Sequence, residues 1–489
     1  MGRGRLILLA GLAGAAAALG HAPFGLWPVS LAGFAALAWL VAHRERPVLA
    51  AWAGGTAYFA VTLHWIVEPF LVDAATHGWM APFALILMAG GLALFWGLAG
   101  WLAARTGGNR AIAWAICLTG AELVRGHILT GFPWALPAYI WTDTDIRLLA
   151  AVFGPYGLSL LTLVLISVAV ADAGRPRPRT AVLVAAGGLA MLLGAGLMRG
   201  DAGTTDRTVR LVQPNAPQNE KWDPDRAHVF VDRALEFTAR PKDGVDLVVW
   251  PETAIPYPLD LAGPVFSRIA AVSDGVPVFT GLNRRSEDGL WFNSSVMVDG
   301  TGLVVESYDK VHLVPFGEYI PLKIDFIRAL AASVGYGFSP GAGVRMIDTP
   351  LGRTVPLICY EAIFPQHSTG LEGRQDYILQ ITNDAWFGTF SGPYQHLQQA
   401  RFRAVEQGLP LIRAANTGVS AVIDARGNLR ATLALGEAGF IDAALPAALA
   451  PTPYSKTGDW PVIGLVAALL AALFVTGRRN VIANRPGSS

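Results

Sequence analysis

Two cysteines occur in the 489 residues, Cys117 and Cys359, and they keep different company. Cys117 lies within an apolar run, where a small thiol packs as a hydrophobe. Cys359 closes the run VPLIC, and on its own would read as buried structural sulfur. A thiol with a free pKa near ~8.5 attacks at neutral pH only beside a base or in a cationic field. Two other segments supply both. WPETAIP puts Glu252 just past the strand-like run DLVVW, and YDKVHLVPFGEYIP puts Lys310 just past the strand-like run LVVESY. A carboxylate can take the thiol proton, while an ammonium can lower the thiol pKa and hold the oxyanion of a tetrahedral intermediate. Together these groups could run acyl transfer. Each stands where a strand gives way to a turn, and in α/β sheets such ends converge on one crevice.

The elements that would carry them occupy residues 199–459, where charge density rises and short runs rich in Val and Ile alternate with helix-compatible segments. This stretch reads as one α/β domain, with strands expected at 209–212, 247–250, 276–281, 295–298, 304–308, 355–359, 377–382 and 420–424. A domain of roughly 260 residues buries a substantial core without staples. A disulfide would have to join Cys359 to the apolar run holding Cys117, so none is expected. The histidines His228, His312, His367 and His396 show no ligand spacing, and neither metal nor cofactor is expected.

The rest of the chain is of another kind. With 53% hydrophobic and 15% charged residues and a formal net charge of +1, the sequence is neither a disordered nor a nucleic-acid-binding chain. Hydrocarbon about 30 Å thick takes roughly 20 apolar residues per helix. Eight candidate runs appear, at 6–19, 26–42, 48–67, 81–104, 111–123, 148–171, 181–198 and 460–476, the first and fifth of them short. Arginines mark every second connection: Arg3 and Arg5, Arg44 and Arg46, Arg105 and Arg110, Arg175, Arg177 and Arg179, then Arg478, Arg479 and Arg485. Short basic loops stay cytoplasmic, which puts 199–459 on the opposite side. The expected organisation is a seven-span bundle over 1–198, an extramembrane domain over 199–459, and a last span with a cytoplasmic tail over 460–489. Residues 6–22 also have the form of a cleavable signal peptide, whose removal would leave the later topology unchanged.

The same segments resemble the nitrilase superfamily, whose Glu, Lys and Cys triad comes in this chain order. TGFPW from Thr130, VFGPYGLS from Val152, QNEKWDP from Gln218, WPETAIP, YDKVHLVPFGEYIP, ICYEAIFP, NDAWFG from Asn383, NTGVSAV from Asn416 and TPYSKTGDWP resemble its membrane-embedded branch, the apolipoprotein N-acyltransferases. The resemblance implies an αββα sandwich domain with Glu252 as base, Lys310 as oxyanion stabiliser and Cys359 as nucleophile. It implies supporting roles for Glu318, which would hold Lys310, and for Tyr360 and Glu361, with the Tyr360 N–H as second oxyanion donor. Trp222 and Trp386 fall in motifs used around substrate.

The implied reaction moves an acyl chain from a membrane phospholipid, through a Cys359 thioester, to the N-terminal amine of an S-diacylglyceryl-cysteine apolipoprotein. The expected setting is a monomer in the bacterial inner membrane with its catalytic domain in the periplasm. Two rivals stand beside this reading. A membrane-tethered amidase would use water as acceptor, but one anchor would suffice for it. A transporter or binding protein whose outer domain only captures a ligand would need polar groups deep in its spans and would leave the triad idle. The apolar stretches 316–338 and 385–394 are candidate membrane-dipping arms.

Overall fold

The computed structural model describes residues 1–171, 177–320, 337–369, 371 and 373–483. Outside them lie Arg175, Arg485 and residues 321–336 of the first candidate arm, together with the side chains of Arg478 and Arg479. The chain divides into two compact units, one of Met1–Gly200 with Lys456–Ser489, the other of Asp201–Ser455.

In the first unit each of the eight apolar runs lies on a helix: Arg3–Ala18, Trp27–His43, Pro47–Thr62, Ala81–Ala103, Arg110–His127, Ala150–Ala171, Pro178–Leu197 and Trp460–Ala483. Among the described residues, three helical stretches are long and apolar enough to cross a membrane, Ala74–Ala103, Asp145–Ala171 and Pro178–Leu197, while Trp27–His43 and Trp460–Thr476 are apolar but shorter. Small residues set the packing. A Cβ on Gly14 would fall 1.9 Å from the Gly54 carbonyl oxygen, so helices Arg3–Ala18 and Pro47–Thr62 meet backbone to backbone, as small residues permit in lipid. Large apolar side chains such as Ile86, Leu87 and Leu94 point outward and stay exposed, the reverse of a water-facing surface. Inside, Glu122 is fully buried and accepts from Trp96 at 2.7 Å and from Arg125, whose guanidinium also donates to the carbonyls of Phe132 and Trp134. Each charge is thereby partnered.

The second unit holds two six-stranded sheets. The first contains β1 (Thr204–Gln213), β2 (Leu247–Val249), β3 (Val278–Arg285), β4 (Trp291–Val298), β5 (Val304–Asp309) and β12 (Gly439–Pro446), in the order β12-β1-β2-β3-β4-β5. The second contains β6 (Ile347–Thr349), β7 (Gly352–Ile358), β8 (Tyr377–Thr382), β9 (Leu411–Ala415), β10 (Ser420–Ile423) and β11 (Leu429–Leu433), in the order β11-β10-β9-β8-β7-β6. Side-chain alternation along the strands builds the layers. Leu247 and Val249 of β2 meet Leu379 and Ile381 of β8 in a core between the sheets. Val248 and Trp250 point the other way, against Leu235, Phe266 and Ile269 of helices Ala227–Ala239 and Gly263–Ser273. On the far side, Leu397, Ala400 and Ala404 of helix Gly392–Gln407 cover Val355, Leu357 and Ile378. The result is the expected α/β sandwich, helices outside and sheets within.

The strand expectations fall short in two ways. β3 and β4 run further than read, because polar residues such as Arg284 continue the ladder and pair with Asp309 at 2.7 Å. β6, β9, β11 and β12 went unseen. In β9 a buried arginine, Arg413, interrupts the apolar pattern, and β12 is rich in alanine, a poor strand former.

Candidate active site

Strand ends bring the chemistry together. Lys310 follows β5 and Cys359 follows β7 directly, and Glu252 lies three residues beyond β2. Cys359 opens a 3-10 turn, Cys359–Ile363, with φ +54, a left-handed conformation uncommon for any residue but glycine. That sharp bend separates the thiol from its own strand. At the opposite wall, Thr253 also takes a positive φ, +46, and a Cβ on Gly281 of β3 would lie 2.4 Å from the Thr253 nitrogen and 2.7 Å from the Glu252 Cα. Only glycine in β3 lets the Glu252 turn lie this close.

Glu252, Lys310 and Cys359 are all buried. The Glu252 carboxylate accepts from the Asn293 side chain at 2.7 Å on Oε1 and from the Asn383 N–H at 2.8 Å on Oε2. Lys310 Nζ lies 3.6 Å from Glu252 Oε1 and donates to Glu318 Oε1 at 2.9 Å. Glu318 accepts further from Asn293 at 2.9 Å and from the Val314 N–H at 2.8 Å. One ammonium thus sits between two oriented carboxylates. Burial works against its charge, but Glu318, Glu252 and Cys359 outweigh that and raise the Lys310 pKa above the ordinary lysine value. Burial pushes the Cys359 thiol up, Glu252 adds to the rise and Lys310 opposes it. Burial thus favours the protonated thiol, and attack calls for a base to accept its proton.

Glu361 is fully buried and organises the turn around the thiol. Its Oε1 accepts from the Val311 N–H at 2.7 Å, the His312 N–H at 3.1 Å and the Tyr308 hydroxyl at 3.2 Å, and its Oε2 from the Ile358 N–H at 2.8 Å. It therefore ties the segment after Lys310 to the residue before Cys359. Burial raises its pKa to about 7, with the backbone donors pulling the other way. Tyr360 is buried against Phe364 at 5.0 Å between ring centroids. Trp222 and Trp386 are 44% and 40% exposed, so neither is domain core. Phe316 and Phe390, in the candidate arms, are exposed as well.

Several participants were quoted within motifs but not singled out. Asn383, directly after β8, and Asn416, directly after β9, are joined by a 2.8 Å side-chain bond, and Gln218 accepts from Asn383 at 2.7 Å. Behind Cys359 lies a buried group of Asp384, His396 and Arg413. His396 Nδ1 is 2.9 Å from Asp384, its Nε2 is 3.1 Å from the Cys359 carbonyl oxygen, and Arg413 pairs with the other Asp384 oxygen. Burial disfavours the Asp384 charge, but Arg413 and His396 override it and bring the carboxyl down to about 2. The motif NDAWFG contained Asp384; nothing local marked His396 or Arg413 as its partners.

Residues 208–454 match the carbon-nitrogen hydrolase family, and residues 13–169 match the apolipoprotein N-acyltransferase N-terminal domain. Among curated relatives, an apolipoprotein N-acyltransferase of Rhodopseudomonas palustris is 38% identical, covering 96% of this chain and 95% of the relative. Another, of Caulobacter vibrioides, is 40% identical over 94% of this chain and 92% of its own length. Among solved structures, an amidase from Nesterenkonia sp. aligns with a TM-score of 0.37 and 20% identity, covering 50% of this chain and 91% of the amidase. Two family matches in order and relatives similar along nearly their whole length lead to one conclusion: the chain belongs to the apolipoprotein N-acyltransferase family.

Proposed function

We propose that this protein takes an acyl chain from a membrane phospholipid onto Cys359 as a thioester and passes it to the N-terminal amine of an S-diacylglyceryl-cysteine apolipoprotein. The observation that carries the reading is the buried cluster itself: a thiol on a left-handed turn, a lysine between two carboxylates, and one of those carboxylates, Glu252, oriented by two donors. Family membership supports the choice of donor and acceptor.

In the first half-reaction the Cys359 sulfur attacks the ester carbonyl carbon while Glu252 accepts the thiol proton. Lys310 and the Tyr360 N–H stabilise the resulting oxyanion. Collapse breaks the ester C–O bond, and the departing lysophospholipid oxygen takes the proton back from Glu252. In the second half-reaction the lipoprotein amine attacks the thioester carbonyl and gives a proton to Glu252; collapse then expels the Cys359 sulfur, which is reprotonated. Glu318 and Glu361 hold Lys310 and the nucleophile turn in place, and the exposed Trp222 and Trp386 contact substrate. Neither half-reaction calls for a metal or cofactor.

The setting is eight spans in the bacterial inner membrane, with residues 1–198 and 460–489 forming the bundle and tail, residues 199–459 in the periplasm, and one copy of the chain sufficient. The alternation of arginine-bearing connections supports that orientation.

Intact-mass analysis after incubation with phospholipid and no acceptor tests the chemistry. An acyl-sized increase is expected in the unsubstituted protein, absent from Cys359→Ala, and lost to an S-diacylglyceryl peptide amine on chasing. An unmodified protein, or an acyl group that leaves only to water, would remove the phospholipid-to-lipoprotein reading and favour a hydrolase.

A further inference from the structure

A second lysine reaches the same turn as the base. Lys221, in the segment QNEKWDP, is buried, with Nζ donating to the Glu252 carbonyl oxygen at 3.0 Å and to the Thr253 hydroxyl at 2.6 Å. These are the two residues of the turn that β3 tolerates only at Gly281 and that requires a positive φ at Thr253. A buried ammonium is costly unless its donors are matched, yet here it is placed against a strained turn. Such strain persists only where the surroundings hold it. Burial lowers the Lys221 pKa to about 8, with Glu252 and Cys359 acting to keep it charged.

The same segment touches the base from a second direction. Gln218 accepts from the Asn383 side chain, and the Asn383 N–H donates to the Glu252 carboxylate. Trp222, next in the chain to Lys221, is exposed, its ring 5.7 Å from Lys221 Nζ. Backbone bonds from Glu220 and Lys221 to the Pro217 carbonyl fold the segment on itself. It therefore bears on Glu252 directly through the buried Lys221 and, by way of Asn383, through the half-buried Gln218.

We propose that Lys221 is a positioning residue for the base: its ammonium clamps the strained Glu252–Thr253 turn so that the carboxylate stays aimed at Cys359, and it joins that turn to the segment that presents Trp222. The inference rests on Glu252 serving as base to Cys359, but not on the identity of the acyl donor. Its test therefore uses a probe that needs no lipid.

Iodoacetamide alkylation of Cys359 in the full-length, detergent-solubilised protein reads how readily the thiol is activated, with peptide mass mapping to separate it from Cys117. Lys221→Met is expected to slow Cys359 alkylation at pH 7.5 by about tenfold or more. Lys221→Arg, which keeps a charge and donors, should recover most of the rate. A folded Lys221→Met that alkylates within about twofold of the unsubstituted protein, or an arginine variant no better than the methionine one, overturns the proposal. If Lys221→Met does not fold, Thr253→Val decides: it removes one partner of Lys221 at nearly constant shape and should slow alkylation about threefold, and an unchanged rate rejects the clamp. Normal alkylation kinetics with no acyl transfer from phospholipid would count against the donor assignment and leave the role of Lys221 standing.

Discussion

The Asn383 backbone N–H donates to the Glu252 carboxylate at 2.8 Å, joining residues 131 positions apart in the chain. Asn383 follows β8 of one sheet, while Asn293, which holds the other carboxylate oxygen, belongs to β4 of the facing sheet. Each sheet grips one oxygen of the Glu252 carboxylate. The aim of the carboxylate thus depends on how the two sheets pack, and on neither alone.

Both of those partners are donors, so Glu252→Gln must turn its NH2 towards one of them. The variant should lose roughly 10²- to 10⁴-fold in thioester formation, the range for a missing general base, with a modest loss of stability. Single-turnover acylation followed by intact mass separates this from a binding defect, which would be relieved at saturating phospholipid.

Glu361 makes a pH-dependent contribution whose sign can be worked out. Its carboxyl is raised to about 7 in the fold against an ordinary 4.5, so between those values the native state holds a proton that the unfolded chain releases. That part of the stability is complete below about pH 4.5 and is lost as pH rises through about 7. Glu361→Gln should flatten this slope in thermal unfolding between pH 4.5 and 7.5. Because a carboxamide cannot accept from all four donors, it should also slow acylation and cost about 1–3 kcal/mol. An unchanged slope would mean that the group is ionised throughout this range.

Asp384 carries the opposite sign. Its carboxyl is held at about 2 by Arg413 and His396, so the stability it confers is present above about pH 4 and lost as pH falls through about 2. Asp384→Asn leaves the buried Arg413 without its counter-charge and should cost about 3–5 kcal/mol. It also frees the ring that faces the Cys359 carbonyl, so denaturant unfolding should show a large loss and any folded remainder should acylate slowly.

Trp222 and Trp386 lend themselves to a cleaner separation. Both are substantially exposed, so truncation to alanine should change stability by no more than about 0.5 kcal/mol. If they contact substrate, KM for phospholipid or for the lipopeptide should rise several-fold with kcat less affected. Unchanged steady-state constants for both substrates would withdraw these two residues from the binding surface.

The placement of Glu252, Lys310 and Cys359 just past strand ends was legible in the chain, because a strand end is a local property of composition and turn residues. The apolar runs of the bundle were legible for the same reason, since hydropathy over a helix length is local. Tertiary structure decided the rest. β9 was hidden because Arg413 breaks its apolar pattern, and that charge is tolerated in the core only because Asp384 lies against it across the fold. Lys221 stood in a quoted motif without any local mark; only the fold sets its ammonium against the Glu252 carbonyl and the Thr253 hydroxyl. The sequence implied a supporting place for Glu361 only by resemblance; the four donors that converge on it from two separate strand ends belong to the tertiary structure. In each case a buried charge is acceptable only with its partners in place, and most of those partners are about 30 to 50 residues away, where no local pattern can announce them.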